Sequence, residues 1–79
     1  MKVFLNEYNK AKDFNILAMK QEYEVFLRSG RYTVDGKSIM GIFSLNLSKP
    51  IEFIVDEDRL GDITLEEVKE TFKDFIFNE

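Results

Sequence analysis

Two hydrophobic periods follow one another in the first part of the chain. Residues 2–6 alternate with a period of two, which places Val3 and Leu5 on one side and predicts a strand. Further along, the spacing of apolar residues lengthens to three and four positions. This spacing predicts an amphipathic helix with Asn9 or Asn6 as its N-cap. The inward stripe of that helix consists of Ala11, Phe14, Leu17 and Ala18.

The middle of the chain carries the clearest hairpin signal. Residues 24–29 and residues 31–35 both alternate with a period of two, and Ser29-Gly30 between them is a turn signal. Beyond this hairpin, Ser38 stands in the N-cap position before a short apolar segment. The pattern therefore predicts two paired strands followed by a short helix.

Pro50 ends the preceding helical segment, because proline disfavours a helical conformation in the residue before it. A run of residues with apolar side chains on both faces follows. This run, residues 51–55, predicts a strand in the centre of the sheet. After it, Thr64 is followed three residues later by Glu67, a capping box in which each side chain bonds to the backbone N–H of the other residue. The box predicts the start of the last helix. The inward stripe of this helix consists of Leu65, Val68, Phe72, Phe75 and Ile76.

The order of the predicted elements is strand, helix, strand, strand, short helix, strand, helix. Helices that lie between antiparallel strands cover one face of a sheet, so this order predicts an α+β two-layer sandwich with one partly open face. With 79 residues, the chain forms one domain, residues 1–79. Its eight Phe and three Tyr are spread along the whole chain, so one aromatic-rich core is expected.

Charge is distributed unevenly between the two parts of the chain. Residues 1–51 carry eight Lys and Arg against five Asp and Glu, or +3, whereas residues 52–79 carry three against ten, or −7. Together these give the net charge of −4. Two interpretations stay open: a solvated acidic helix that keeps the protein soluble, or a bipolar molecule whose basic part faces an acidic partner protein. The scattered basic residues and the negative net charge argue against nucleic-acid binding.

The absence of Cys and His excludes several kinds of catalytic and metal-binding site. The chain has no Cys, and therefore no disulfide, thiolate metal site or cysteine nucleophile, which fits a reducing cytoplasm. It has no His, which removes the commonest general base and the commonest metal ligand. We therefore expect a protein that is not an enzyme and that holds no cofactor and no metal. No apolar run approaches the ~20 residues of a membrane span, so no membrane partner is expected.

One segment resembles a known protein family. Residues 37–45 read Lys-Ser-Ile-Met-Gly-Ile-Phe-Ser-Leu. They are similar, almost letter for letter, to the regulatory-serine segment of HPr, the phosphocarrier protein of the bacterial sugar phosphotransferase system. The resemblance extends without a gap over about residues 25–56, and the order of the predicted elements is the HPr order. It implies an HPr-like open-faced sandwich, βαββαβα, with four antiparallel strands and three helices on one face.

The resemblance also implies a regulatory site. In many Gram-positive bacteria a dedicated kinase phosphorylates the HPr serine that corresponds to Ser38, at the start of the short helix. The implied partner is a protein of the phosphotransferase system or of catabolite regulation, or the serine kinase itself. The residues expected to contact the partner are Lys37, Ile39, Met40 and Phe43. Without the resemblance, Ser38 is a plain helix cap. The three apolar residues then either belong to the core or, since a short helix cannot bury all its apolar residues, one or two of them face outward.

The chain differs from the family at the position of the phosphocarrier histidine. HPr carries phosphate on a His that is followed by Ala-Arg-Pro-Ala before the first helix, whereas residues 7–11 here read Glu-Tyr-Asn-Lys-Ala. The resemblance therefore implies a member that has lost phosphotransfer, similar to the catabolite-repression homologue of HPr, which also lacks the histidine. The alternative is a phosphocarrier that uses an unusual acceptor such as Glu7.

A second motif precedes the last helix. Residues 56–67 have the spacing of an EF-hand calcium loop, with Asp56, Asp58 and Glu67 at its first, third and twelfth positions. Leu60 occupies the fifth position and supplies no side-chain oxygen, and the preceding segment is predicted as a strand where an EF-hand has a helix. We therefore favour an acidic turn that leads into a helix N-terminus. A calcium-binding module is the alternative.

Overall fold

The computed structural model describes residues 1–78, and this part of the chain forms a four-stranded antiparallel sheet with three α-helices. The strands are β1 (Lys2–Val3), β2 (Val25–Ser29), β3 (Tyr32–Asp35) and β4 (Ile51–Val55). The helices are α1 (Tyr8–Met19), α2 (Ile39–Phe43) and α3 (Leu65–Thr71), and a 3-10 turn (Glu57–Arg59) precedes α3. The predicted α+β class and the predicted order of strands and helices are confirmed. Element ends differ from the prediction by a few residues, most at the end of α3.

The sheet has the strand order β1-β4-β2-β3, and every neighbouring pair is antiparallel. β4 lies between β1 and β2, which confirms its predicted central position. β2 and β3 form the predicted hairpin, and Gly30-Arg31 is its two-residue loop. Gly30 has a φ of 60°, the positive value that a type II′ turn requires at the first loop position.

The last helix ends earlier than its hydrophobic stripe predicts. α3 stops at Thr71, and after a turn the chain runs antiparallel to β1, where Ile76 forms a bridge with Val3. Backbone hydrogen bonds of 3.0 and 2.8 Å join residues 75–77 to the β1 segment. The prediction that the helical stripe continues through Ile76 is therefore wrong. The free backbone groups at the edge of β1 need partners, and the C-terminal segment supplies them.

The core lies between the sheet and the helices. The ring of Phe14 in α1 contacts the rings of Phe53, Phe72 and Phe75, with centroid distances between 5.2 and 5.5 Å. The rings of Phe53 and Phe72 contact each other at 4.9 Å, nearly perpendicular. Edge-to-face contacts of this kind add to the stability that burial alone provides. Aromatic residues from α1, β4 and the end of α3 thus share one cluster.

The other face of the sheet is partly open, as the sequence predicts. Phe26 and Ile54 lie opposite each other on this face and are half-buried. Beside them, Arg28 donates from Nε to the Glu52 carboxylate at 3.0 Å, and both side chains are about half exposed. An exposed ion pair of this kind contributes little to stability, at most about 1 kcal/mol.

Helix α1 begins at Tyr8, between the starts that the two predicted caps would give. Its N-cap is Glu7, whose side chain makes no capping hydrogen bond. The expectation that Asn9 or Asn6 caps this helix is therefore wrong, since Asn9 lies inside the helix and Asn6 precedes the cap. At the first position of α1, the ring of Tyr8 stacks on the ring of Phe43 in α2.

A buried polar residue links α1 to the segment that leads into α2. Asn15 is 6% exposed, and its Nδ2 donates to the Gly36 carbonyl at 3.2 Å. Gly36 is itself packed tightly, because a Cβ there would lie 2.6 Å from Cγ2 of Val25. The periodicity of α1 gives no sign of this role for Asn15. The contact holds the loop between β3 and α2 in place, and this loop carries Ser38.

Candidate functional site

Ser38 is the N-cap of α2, as predicted. Its Oγ accepts a hydrogen bond from the Gly41 N–H at 3.2 Å, and its own N–H donates to the Asp35 carbonyl at 3.0 Å. Ser38 is exposed. A kinase can reach an exposed hydroxyl, and a phosphate at this position would lie near backbone N–H groups that have no partner within the helix.

Gly41 allows α2 to approach β3 closely. A Cβ at this position would lie 3.2 Å from the Cβ of Val34 and 3.3 Å from Ser38 Oγ, which is tighter than ordinary van der Waals contact. Glycine inside a helix costs about 1 kcal/mol relative to alanine. Here the absence of a side chain at Gly41 lets α2 pack closely against β3 next to Ser38.

Apolar side chains remain exposed next to Ser38. Met40 is 82% exposed and Phe43 is 40% exposed. The two are three residues apart and therefore lie on one face of α2. The ring of Tyr8, which is 67% exposed, stacks on the Phe43 ring with centroids 5.3 Å apart and planes 6° apart. Together with the half-buried Ile39 these residues form a continuous patch, which we call the α2 surface: Tyr8, Ile39, Met40 and Phe43.

The helix is anchored by a residue outside this patch. Ile42 is fully buried and packs into the core, whereas Met40 and Phe43 face solvent. The interpretation that the apolar residues of α2 all belong to the core is therefore wrong for these two. The sequence pattern does not predict Tyr8 as a member of the patch. The available signal was an aromatic residue at the start of α1 that does not fall on the inward stripe.

Lys37 is held by groups other than Ser38. Its Nζ donates to the Gln21 carbonyl at 2.9 Å and lies 3.9 Å from Glu24 Oε1. Its backbone N–H donates to Asp35 Oδ1 at 2.8 Å. Lys37 thus joins the loop before β2 to the loop before α2. A phosphate on Ser38 would have to compete with these partners for the ammonium group.

Two grooves lie on the surface away from the α2 surface. One, of about 340 Å³, is lined by residues of the β2–β3 turn and by Ser44, Leu45 and Asn46. The other, of about 390 Å³, follows the same turn on the side of β4. Neither groove is lined by Ser38, and neither is lined by the residues of the α2 surface. The α2 surface is therefore an exposed apolar patch that lies outside both grooves.

Asp56 and Glu67, two of the predicted calcium ligands, form hydrogen bonds with different parts of the chain. Asp56 accepts from the Asp58 N–H at 3.1 Å and lies 3.5 Å from Nε of Arg59. Glu67 accepts from the Thr64 N–H at 3.2 Å, and its own N–H donates to Thr64 Oγ1 at 3.1 Å, which confirms the predicted capping box. No group of three or more Asp, Glu or His in the described part of the chain is placed to hold a metal ion. The segment is an acidic turn that leads into α3.

Glu7 occupies the place that the resemblance assigns to the phosphocarrier residue. It is exposed at the start of α1, its carbonyl accepts from the Ala11 N–H at 3.0 Å, and its side chain makes no capping bond. It directly precedes Tyr8 and therefore lies beside the α2 surface. Glu7 and Ser38 are both N-caps, of α1 and α2 respectively.

No protein-family model, no curated protein and no solved structure matches the chain. Among residues 1–78, no helix is both long enough and apolar enough to cross a membrane. A function for this protein therefore rests on the geometry around Ser38 and on the resemblance of residues 37–45.

Proposed function

We propose that this protein is an HPr-like regulatory protein of the cytoplasm that has lost the phosphocarrier reaction. It binds a partner protein through the α2 surface, and phosphorylation of Ser38 switches that binding. The order of strands and helices and the antiparallel four-stranded sheet support the proposal, because the resemblance implies both. The motif at residues 37–45 provides the more specific support.

One observation carries the proposal: an exposed serine caps a helix that exposes an apolar side chain two residues later. Ser38 is exposed, and Met40, two residues later, is 82% exposed. A phosphoserine carries a charge of about −1.5 to −2 at neutral pH. Next to an apolar contact patch, such a charge changes which partner surfaces can bind, because it must be desolvated or paired in any complex.

The fold tolerates a phosphate at this position. Ser38 is not buried, and its Oγ has one hydrogen-bond partner, the Gly41 N–H. A phosphate oxygen can accept the same bond. The negative charge lies at the start of α2, where the helix dipole favours anions. We therefore expect phosphorylation to alter binding while leaving the thermal stability unchanged or slightly increased.

The experiment is phosphorylation by an HPr serine kinase with ATP. The wild-type chain and the Ser44→Ala variant should each take up one phosphate, whereas Ser38→Ala should take up none. Ser44 is a matched control, because it is an exposed serine at the other end of the same helix. Equal incorporation by all three proteins, or none by any of them, would leave Ser38 as a plain helix cap.

Loss of the phosphocarrier reaction is tested separately. Incubation with enzyme I and phosphoenolpyruvate should leave the mass of the protein unchanged, because the chain has no His. A phosphate adduct that hydroxylamine cleaves, and that the Glu7→Gln variant does not form, would identify an acyl phosphate on Glu7. That result would replace the regulatory proposal with an unusual phosphocarrier.

A further inference from the structure

The two edges of the sheet are covered differently. The edge at β1 is bonded by residues 75–77. β3 forms the other edge, and no strand in the described part of the chain pairs with its outer side. Within β3 only Val34 is half-buried, and Tyr32 is 73% exposed. An uncovered edge presents backbone N–H and C=O groups to which another strand can bond.

The hydrogen-bond pattern identifies the backbone groups of β3 that face outward. The Gly36 N–H, just beyond β3, donates to the Val25 carbonyl at 2.8 Å. Every second residue of an antiparallel strand bonds to the same neighbour. The even-numbered residues of β3 therefore bond to β2, and the N–H and C=O groups of Thr33 and the N–H of Asp35 face the free edge. The Asp35 carbonyl accepts from the Ser38 N–H.

We propose that β3 pairs antiparallel with β3 of a second copy of this chain, about a two-fold axis at Thr33. In this register Thr33 lies opposite Thr33 of the second copy, and their outward N–H and C=O groups bond to each other. Tyr32 lies opposite Val34, and Arg31 lies opposite Asp35. Symmetry repeats these two pairs on the other side of the axis. The proposal does not depend on phosphorylation of the chain.

Each cross-strand pair in this register is of a favourable kind. Aromatic with β-branched side chains, threonine with threonine, and opposite charges are the combinations that stabilise antiparallel strands. Within the described residues, Arg31 forms no ion pair. Asp35 uses Oδ1 to accept from the Lys37 N–H, so its second oxygen is available to Arg31 of the second copy.

Other registers lose this complementarity. A shift by two residues keeps the outward backbone groups paired, but it places Tyr32 opposite Tyr32 or Val34 opposite Val34. Either shift separates Arg31 of one copy from Asp35 of the other. The charge pairs therefore specify the register centred on Thr33, and the dimer is symmetric and closed.

The contact is small, so the dimer is weak. Five residues of each chain take part, from Arg31 to Asp35, and such a contact buries less than the ~1,200 Å² of stable interfaces. We expect a dissociation constant of about 0.1–1 mM, the range of weak association. Sedimentation equilibrium over a series of protein concentrations measures this constant.

Charge reversal at Arg31 tests the register. Arg31→Glu places two like-charged pairs at the contact and should raise the dissociation constant about tenfold. Lys12→Glu, the same charge change at an exposed site on α1, should leave it unchanged. A mixture of Arg31→Glu with Asp35→Lys should form the mixed dimer in preference to either homodimer, because both charge pairs are restored. Equal constants for Arg31→Glu and Lys12→Glu, without a preference for the mixed dimer, would overturn the proposal.

Amide hydrogen exchange on the wild-type chain gives a test without substitutions. The Thr33 N–H should become protected as the protein concentration rises, whereas the Val34 N–H, bonded to β2, should be protected at every concentration. Thr33→Pro removes the outward donor without removing a bond to β2 and should abolish the dimer. A Thr33 exchange rate that is independent of concentration, or a monomer at every concentration, would refute the β3 pairing.

Discussion

Helices α2 and α3 both begin with a hydroxyl N-cap, but only α3 has the full capping box. In α3, Glu67 at the third helical position accepts from the Thr64 N–H. In α2 the third position is Gly41, and the Ser38 N–H bonds to the Asp35 carbonyl instead. This third position of α2 lies close against β3, where a Cβ would be 3.2 Å from the Cβ of Val34. The cap of α3 therefore has two hydrogen bonds between Thr64 and Glu67, whereas the cap of α2 has one side-chain hydrogen bond, from Gly41 to Ser38.

The two helices also differ in what they bury. α3 places Val68 in the core, and the residue that ends it, Phe72, is fully buried. α2 buries Ile42 and exposes Met40 and Phe43. Fold stability therefore depends mainly on α3, whereas α2 keeps apolar side chains exposed. Four substitutions, each with a matched control, test this assignment.

Truncating the aromatic residue at the end of α3 should have the largest effect. Phe72→Ala removes a ring that contacts Phe14 and Phe53, and it should lower the free energy of unfolding by about 3–5 kcal/mol. Urea denaturation measures the change. Phe43→Ala on α2, where the ring is 40% exposed, is the matched control and should cost clearly less. Similar losses at the two positions would contradict the division between the helices.

Removal of the α3 cap should have the second-largest effect on the free energy of unfolding. Thr64→Ala abolishes one bond of the capping box directly and should destabilise the protein by about 1–2 kcal/mol. Thr64→Ser keeps the hydroxyl and should restore most of the loss. A shift in the urea midpoint that is equal for both variants would mean that the hydroxyl is not the stabilising group.

Removal of the α2 cap should have a smaller effect than removal of the α3 cap. Ser38→Ala loses one hydrogen bond, to the Gly41 N–H, and no carboxylate reinforces it. We expect a loss of about 0.5–1 kcal/mol in the free energy of unfolding. Ser38→Asp retains a capping oxygen and should recover the stability. A loss from Ser38→Ala larger than that from Thr64→Ala would reverse the comparison.

Truncating the most exposed apolar residue should hardly affect stability. Met40→Ala should change the free energy of unfolding by no more than about 0.5 kcal/mol, because the side chain is 82% exposed. Ile42→Ala, two residues away and fully buried, should cost about 2–5 kcal/mol and is the control. If Met40→Ala destabilises the protein as much as Ile42→Ala, the α2 surface belongs to the core.

The sequence predicts the elements whose signals are local. The capping box of Thr64 and Glu67, the turn at Gly30 and the cap at Ser38 each depend on residues within a few positions of one another. The central position of β4 follows from apolar residues on both of its faces. These features are decided by periodicity and capping chemistry, which a single sequence displays directly.

The features that the sequence does not predict depend on distant contacts. The turn of the chain away from α3 depends on the free edge of β1, about 70 positions earlier. The burial of Asn15 depends on a carbonyl at Gly36, and the stacking of Tyr8 depends on Phe43 in another helix. Packing between elements overrides the local pattern at each of these places.

The bridge between Val3 and Ile76 has a consequence for the order of folding. It closes a loop of about 70 residues, and the entropy of closing a loop that long must be lost before the contact contributes. The β2–β3 hairpin needs only the two-residue loop at Gly30-Arg31. We therefore expect the hairpin to form early and the β1 edge to assemble late. During synthesis β1 is the first of the four strands to leave the ribosome, and we expect it to pair after the hairpin has formed.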